Sequence, residues 1–500
     1  MAAEAAALRR AGSDGPGVVD PHVAASGAPD LRSVDAFLAS LVRPGMSDEE
    51  KVLAVFHTVR RLFVHGPTSP DLAYDFHRVL HVLGTGACLS MTAPLHLLYE
   101  RLGYRSRSWV HDGHHMMEVE YGGGGHCLDP HMSFYCYDRS RPRQIAAVAQ
   151  LRADPSLARD AVAEGRAGPG YLLCGDVPDW FAGDAGEWYV EADGRWPEVR
   201  LEEPFGRIRL RPGERYARTW WPGAHWYRAG WLARDGTGPL HHCAEADARD
   251  AVNWPLYEPH AWSRGNGPTY YRVWGAGQLE YAPPLGQLEA ELENAAVSGH
   301  GERAVLEAVA ARGPAAVVLA ARCPYVLTAG QVWVRLARPG RVTASVRVDD
   351  EWVPAPAERG GAPSSLARTW TALAGRLSGD AWVADFGPEV NGSFAGYRLR
   401  LELADGATLA AVRLTSHFQL NRFSLPHLVP GRNRVAVSAA RYGAPLAVRY
   451  DWSEGPGWAA ARSWEETFAR DGEAEIEVAG PAHPRMHALT LTALSPEEPP

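Results

Sequence analysis

With 500 residues, 46% of them hydrophobic and 22% charged, the chain has an ordinary globular balance and too much length for one core, so about three or four domains are expected. Its net charge of −9, with no lysine or arginine run, argues against nucleic acid or an anionic membrane as the main partner. No apolar stretch approaches the roughly 18 residues of a membrane span, so no membrane span is expected.

The opening "MAAEAAALRRAGSDGPG" does not read as a secretory signal. Its apolar patch is short, it contains Glu4, and the arginines follow the patch rather than precede it. At face value this places the protein in the cytoplasm; a missing true N-terminus would leave secretion open. Residues 1–35, rich in Ala, Gly, Asp and Pro, are expected to be mobile up to about residue 30. A helix is expected near "VDAFLASLV" and another over "SDEEKVLAVFHTVRRLFVHG". In the second, Ser47 and Glu50 have capping-box spacing, Val52, Phe56, Val59 and Phe63 define one face, and Gly66 is the stop. A third is expected after Cys88. Met91, Leu95, Leu98 and Leu102 repeat at helical spacing and Gly103 ends them, while Pro94 predicts a kink or a later start.

The period then changes. "RSRSWV" and "HMMEVEY" read as strands joined by a turn at His111–His114, and the "GGGG" of residues 122–125 makes a second turn into "HCLDP". A helical segment near 143–165 closes this unit before "GPG" at 168–170. From 171 onward strands dominate. Ten of the eighteen tryptophans lie between Trp180 and Trp274, and alternating segments such as "QVWVRLA", "VTASVRV" and "YRLRLEL" follow, the signature of antiparallel sandwiches. One helix is expected near "LGQLEAELENAA". The resulting units are a mobile segment 1–35, a catalytic domain 36–170, a Trp-rich β domain 171–285, a β-sandwich domain with a leading helix 286–425, and further strands of a C-terminal sandwich 426–500. The β units are expected to be separable from the chemistry of the first.

The six cysteines, at 88, 127, 136, 174, 243 and 323, show no CxxC and no disulfide framework. Cys88 stands apart because "HVLGTGACLSM" places it where loop becomes helix. There the helix dipole lowers a thiol pKa. Cysteine catalysis also needs a base and a group that orients the base. His114 follows on one strand and Asp129 on the next. Alternation puts His114, Met116 and Glu118 on one face. A turn at Gly122-Gly123 would place Asp129 opposite Met116 and diagonal to His114, within reach of it. A turn one residue later would move Asp129 opposite Glu118 and strain the contact.

Here the chain resembles the transglutaminase-like cysteine enzymes over roughly residues 36–150. "GACLSMTAPLHLLYERLGYRSR" looks like their G-x-C nucleophile helix, and "HHMMEVEYGGGGHCLDP" like their H-x-x-x-E-V strand and following Asp-Pro. The aromatic common after the His and the Trp common before the Asp are replaced here by Met116 and Gly125. No papain-type Gln precedes Cys88, although the Cys88 backbone N–H can serve an oxyanion. The resemblance implies an α+β papain-like fold, followed in this chain by all-β sandwich-type domains. It also implies a catalytic triad of Cys88 as nucleophile, His114 as base and acid, and Asp129 as orienter. His115 falls on the other strand face, and the family register selects His114.

His111, His114, His115, His126, Cys127, His131 and Cys136 crowd one span, but match no standard zinc spacing. Cys127 lies mid-strand and reads as core; His241, His242 and Cys243 read as isolated. The expected function is a cysteine-dependent amidohydrolase, peptidase or acyltransferase that acts on an amide or peptide bond without cofactor or metal. Hydrolysis is favoured over cross-linking because no clustered-acid calcium loop is present. Protein, peptide or glycan are the expected substrates. One alternative is a glycan-active lyase or hydrolase on the same fold, using Glu118 or Asp129. Another is a non-catalytic binding scaffold.

Overall fold

A computed structural model describes residues 15–62, 64–65, 75–86, 88–111, 114–130, 134–168, 189–190, 199, 201, 205–221, 223, 227, 274–309, 314–348 and 366–495. The chain is mostly β, with a smaller helix-bearing unit near its N-terminal side.

The chain enters the fold through two short strands, β1 (Val18–Val19) and β2 (His22–Ala25). They are paired, which corrects the expectation of mobility up to residue 30. β1 pairs antiparallel with Arg441–Tyr442 and with Arg209–Leu210, and β2 pairs with residues 435–438. The cause is apolar burial: Val18, Val23 and Ala25 lie in the large sandwich core. Residues 1–14 lie outside the described residues.

Helix α1 (Val34–Leu41) starts on Ser33, whose hydroxyl accepts from the Ala36 N–H at 3.1 Å. Helix α2 (Asp48–Leu62) carries the expected capping box. The Ser47 N–H donates to Glu50 at 2.7 Å and the Glu50 N–H donates to the Ser47 hydroxyl at 3.3 Å. Val52, Phe56 and Val59 are buried as their spacing suggested; Phe63 and Gly66 lie outside the described residues. Helix α3 (Cys88–Arg101) starts at Cys88 and runs through Pro94 as one helix, not from a later start. Gly103, at φ +86°, ends it: the Gly103 N–H bonds the Glu100 carbonyl and the Tyr104 N–H bonds that of Tyr99, each at 2.9 Å. Met91, Leu95 and Leu98 of α3 pack with Val52, Phe56 and Val59 of α2.

The strands beside α3 are β3 (Arg105–His111), β4 (His114–Tyr121) and β5 (Gly124–Leu128), joined in antiparallel order. The helical segment expected over 143–165 is instead two short helices, Val148–Ala153 and Ser156–Arg159, separated at Pro155.

The largest sheet has eleven described strands. Its main path runs from Gly375–Ser378 through Ala381–Phe386, Val326–Arg338, Thr408–Asn421, Trp274–Tyr281, Glu214–Thr219, Arg485–Ala493 and Leu446–Glu454 to Ala460–Phe468. A five-stranded sheet built around Ala315–Arg322, Gly396–Ala404 and Arg341–Val348 shares its core. The boundaries expected at 285 and 425 therefore fall inside one ladder. Trp274–Tyr281 pairs with Thr408–Asn421, and Glu214–Thr219 pairs with Arg485–Ala493. Most of the Trp-rich stretch lies outside the described residues. "LGQLEAELENAA" is a 3₁₀ turn at Leu285–Gln287 followed by strands Glu291–Glu293 and Ala295–Ser298, not a helix. Ion pairs from Glu291 to Arg398 at 3.1 Å and from Glu293 to Arg400 at 2.8 Å hold its glutamates against the sheet. Here tertiary pairing overrides a strong local helix propensity.

The sandwich does not stand apart from the helical unit. Trp274 and Phe423 lie in the same core as α1, α2 and α3. Among the described residues, no helix is long and apolar enough to cross a membrane.

Candidate active site

Cys88 is the first residue of α3 and is partly exposed. The first backbone N–H groups of any helix lack intrahelical partners and point their positive ends outward. No acidic side chain in the first turn of α3 offsets that field. Gly86, the glycine of the G-x-C pattern, has a packing reason: a Cβ there would lie 2.7 Å from the Ser90 Cβ. Only a glycine lets the approach loop lie so close to the first helical turn.

That loop is held from behind. Residues Val79–Leu83 form a buried π-helical turn, ended by Gly84 at φ +55°. Asn421, fully buried in the large sheet, donates to the carbonyls of Leu62 at 2.8 Å and Leu80 at 2.7 Å. The Trp274 indole donates to the carbonyl of Leu83 at 2.7 Å. The β-sandwich thus buttresses the segment that delivers Cys88, and these contacts run against the expected separability of the residues after 171. Sequence reasoning missed both side chains, because nothing in "RVWGAG" or "QLNRFS" reveals a partner hundreds of residues away.

The second hairpin resolves the register left open by the sequence. Gly122 and Gly123 are the two turn residues, at φ +58° and +80°, as a type I′ turn requires. Met117 pairs with Leu128 and Glu118 with Cys127. One more step along this register sets Asp129 opposite Met116 and diagonal to His114. The His114 Nε2 and Asp129 Oδ2 atoms lie 2.6 Å apart, with the side chains only 4% and 1% exposed. A further hydrogen bond links His114 to the Cys88 side chain. The structure therefore brings Cys88, His114 and Asp129 together. With Nε2 engaged by Asp129, Nδ1 is the ring nitrogen that serves the thiol.

Burial alone would lower the His114 pKa. The negative charge and hydrogen bond of Asp129, and then the Cys88 side chain, outweigh burial and push it up to about 10. The other described cysteines differ. Cys127, Cys136 and Cys323 are buried, and burial raises each thiol pKa, that of Cys136 to about 12. Cys174 and Cys243 lie outside the described residues, as do His241 and His242.

Glu118 is a structural hub. Its carboxylate accepts from Arg107 Nε at 2.7 Å, Trp109 Nε1 at 3.0 Å and the Val148 N–H at 2.9 Å. Arg107 is thus its ion partner, while Arg105 faces Glu120. Gly125 explains why no Trp stands there: a Cβ at 125 would come 2.7 Å from the Glu118 carboxyl carbon. His126 points its ring nitrogens at the carbonyls of Ile145 and Tyr121, and His115 approaches the Ser108 hydroxyl at 3.4 Å. Among the described residues, no group of three or more His, Cys, Asp or Glu side chains is arranged to hold a metal ion; His131 lies outside them. Neither a protein-family model nor a curated protein matches this chain.

Proposed function

We propose that the chain is a thiol enzyme that cleaves or transfers an acyl group from an amide or peptide bond, on a papain-like helix-and-sheet scaffold of transglutaminase-like type. The observation that carries this reading is the relay itself: a cysteine at a helix N-terminus, hydrogen-bonded to a histidine that a buried aspartate holds at 2.6 Å. The Cys88 thiolate attacks the carbonyl carbon. The developing oxyanion meets the Cys88 backbone N–H at the helix end. The His114 imidazolium donates its proton to the leaving nitrogen, so the amine departs neutral and an acyl thioester remains on Cys88. Water then attacks the thioester while His114 takes its proton, releasing the acid and restoring the Cys88 thiolate beside the His114 imidazolium; an amine in place of water gives transfer.

Asp129 orients His114 and balances the imidazolium charge. Glu118, the carboxylate a glycan-cleaving reading requires, has donors on both oxygens. Its engagement supports thiol chemistry over acid-catalysed sugar chemistry. The test is acyl-enzyme trapping with p-nitrophenyl acetate, read by mass spectrometry of the digested protein, followed by turnover of glutamine-containing peptides with and without a primary amine. An acetyl group on Cys88, absent in Cys88→Ala, is expected. Equal ester turnover by Cys88→Ala would overturn the assignment.

A further inference from the structure

The hairpin that joins Leu446–Glu454 to Ala460–Phe468 carries at its tip a residue in a rare conformation. Trp458 stands at φ +55°, in the left-handed region that a bulky side chain seldom occupies and that clusters at ligand clamps and switches. Its indole is 40% exposed. The indole N–H is turned inward and donates to the His483 carbonyl at 3.2 Å, so the outward part is apolar ring. The turn residues beside it, Gly455, Pro456, Gly457 and Ala459, are exposed and short, which leaves the ring a flat shelf rather than the wall of a groove.

The shelf is braced from beneath. The Arg485 guanidinium carbon lies 5.7 Å from the Trp458 ring centre and 4.2 Å from that of Trp221, so the cation is held between two indoles. Trp221 is fixed in turn. Its N–H donates to His487 Nδ1 at 3.3 Å; His487 Nε2 therefore carries the proton and donates to the Ser453 hydroxyl at 2.7 Å. Burial, and then the Arg485 charge, lower the His487 pKa and keep that ring neutral. A platform held this way costs a ligand little ordering entropy. The strand registers set Trp221, Arg485 and Ser453 at the same end of the large sheet as Trp274 and Asn421. His427 is acted on by both His483 and Arg61, the latter in the last turn of α2. The shelf therefore lies on the side of the sandwich that faces the helical unit.

A cation seated on the inner side of Trp458 disfavours a second one outside, which argues against an ammonium or lysine ligand. A flat apolar face without a side pocket matches a pyranose ring, which presents C–H bonds on one side and hydroxyls at its rim. We infer that Trp458 is the platform of a binding site for a neutral glycan, one pyranose ring lying with its C–H face on the exposed indole. The site is separate from the Cys88 relay and does not depend on the function proposed for it.

The test uses the full chain with two β-linked probes, cellohexaose and the hexamer of N-acetylglucosamine, and with hexaproline as the competing peptide ligand, in titration calorimetry. Saturable binding of at least one sugar is expected, at least tenfold tighter than hexaproline. The bound sugar should protect Trp458 from N-bromosuccinimide oxidation at least tenfold, read by mass spectrometry of the digested protein. Trp458→Phe keeps a smaller ring and should weaken sugar binding severalfold. Trp458→Gly takes φ +55° without strain and should abolish it; an unchanged circular dichroism spectrum shows that each variant is folded, and the oxidation of wild-type protein decides the matter if one is not. Absence of saturable binding of both sugars, hexaproline binding as tightly as either, Trp458 oxidised equally fast with sugar bound, or wild-type affinity in Trp458→Gly would each overturn the inference.

Discussion

Replacing Asp129 with Asn tests the relay at its most sensitive point. The exchange keeps a hydrogen-bonding side chain but removes the negative charge 2.6 Å from the His114 ring. The backbone bridge between Asp129 and Phe134, with both bonds at 2.8 Å, does not involve the side chain and should persist. The His114 pKa stands at about 10 against an ordinary 6.5. At about 1.36 kcal/mol per pKa unit, that is ~5 kcal/mol of preference for the imidazolium. Asp129 stands ahead of the thiol among the groups that raise it, so losing its charge should lower the His114 pKa by more than losing the thiol does. With the imidazole no longer oriented and its charge no longer balanced, the rate should fall by roughly a hundredfold or more. Two measurements check it: NMR titration of His114 in histidine-labelled protein, and turnover on whichever substrate acylates Cys88. The variant's imidazole should titrate far below the wild-type value, while Cys88→Ser should keep most of the elevation. An unchanged His114 titration in Asp129→Asn, or a rate within a few-fold of wild type, would refute the reasoning.

Limiting iodoacetamide at neutral pH should label Cys88 well ahead of Cys127, Cys136 and Cys323, which mapping by mass spectrometry reads directly; even labelling would sink the catalytic reading. Glu118→Gln should lower stability by about 2–3 kcal/mol in chemical denaturation, since it weakens charge-assisted bonds to Arg107, Trp109 and Val148, yet cost far less in rate than Asp129→Asn. The raised His114 pKa contributes stability that is fully present below about pH 6.5 and lost as pH rises through about 10; the denaturation midpoint should fall over that window in wild type and stay flatter in His114→Gln. Asn421→Ala strands two buried carbonyls, which should cost ~2–4 kcal/mol and slow Cys88 alkylation, and a fragment of residues 30–170 should lose that reactivity even where it folds.

What could be read in the sequence was local. The Ser47–Glu50 cap, the α3 spacing and its Gly103 stop, and the two glycines of the β4–β5 turn each depend on residues within a few positions of one another. His114 and Asp129 were half legible, since the glycines at 122–125 allowed two registers and only one joins them, and Cys88 was linked to the pair by the resemblance to transglutaminase-like enzymes rather than by any local spacing. The "LGQLEAELENAA" stretch misled because its helix propensity loses to pairing with distant arginines. Asn421 and Trp274 were invisible for a related reason: an amide or indole in a strand says nothing of the carbonyl it meets across the fold. The short β1 and β2 strands carry too few apolar residues to declare a partner before the sheet exists.

Those strands have a consequence for biosynthesis. β2 is translated long before the strand at Gly431–Ser438 that pairs with it. At roughly 5–20 residues per second on a ribosome, the interval is on the order of tens of seconds. Throughout it, an unpaired edge with Val23 and Ala25 exposed is available to neighbouring nascent chains on the same message. The helical unit can collapse early, but Leu62 and Leu80 must wait for Asn421 to satisfy their carbonyls. Maturation of the thiol site is thereby tied to completion of the polypeptide, so a chain stalled before residue 421 carries Cys88 without the buttress that sets it in place.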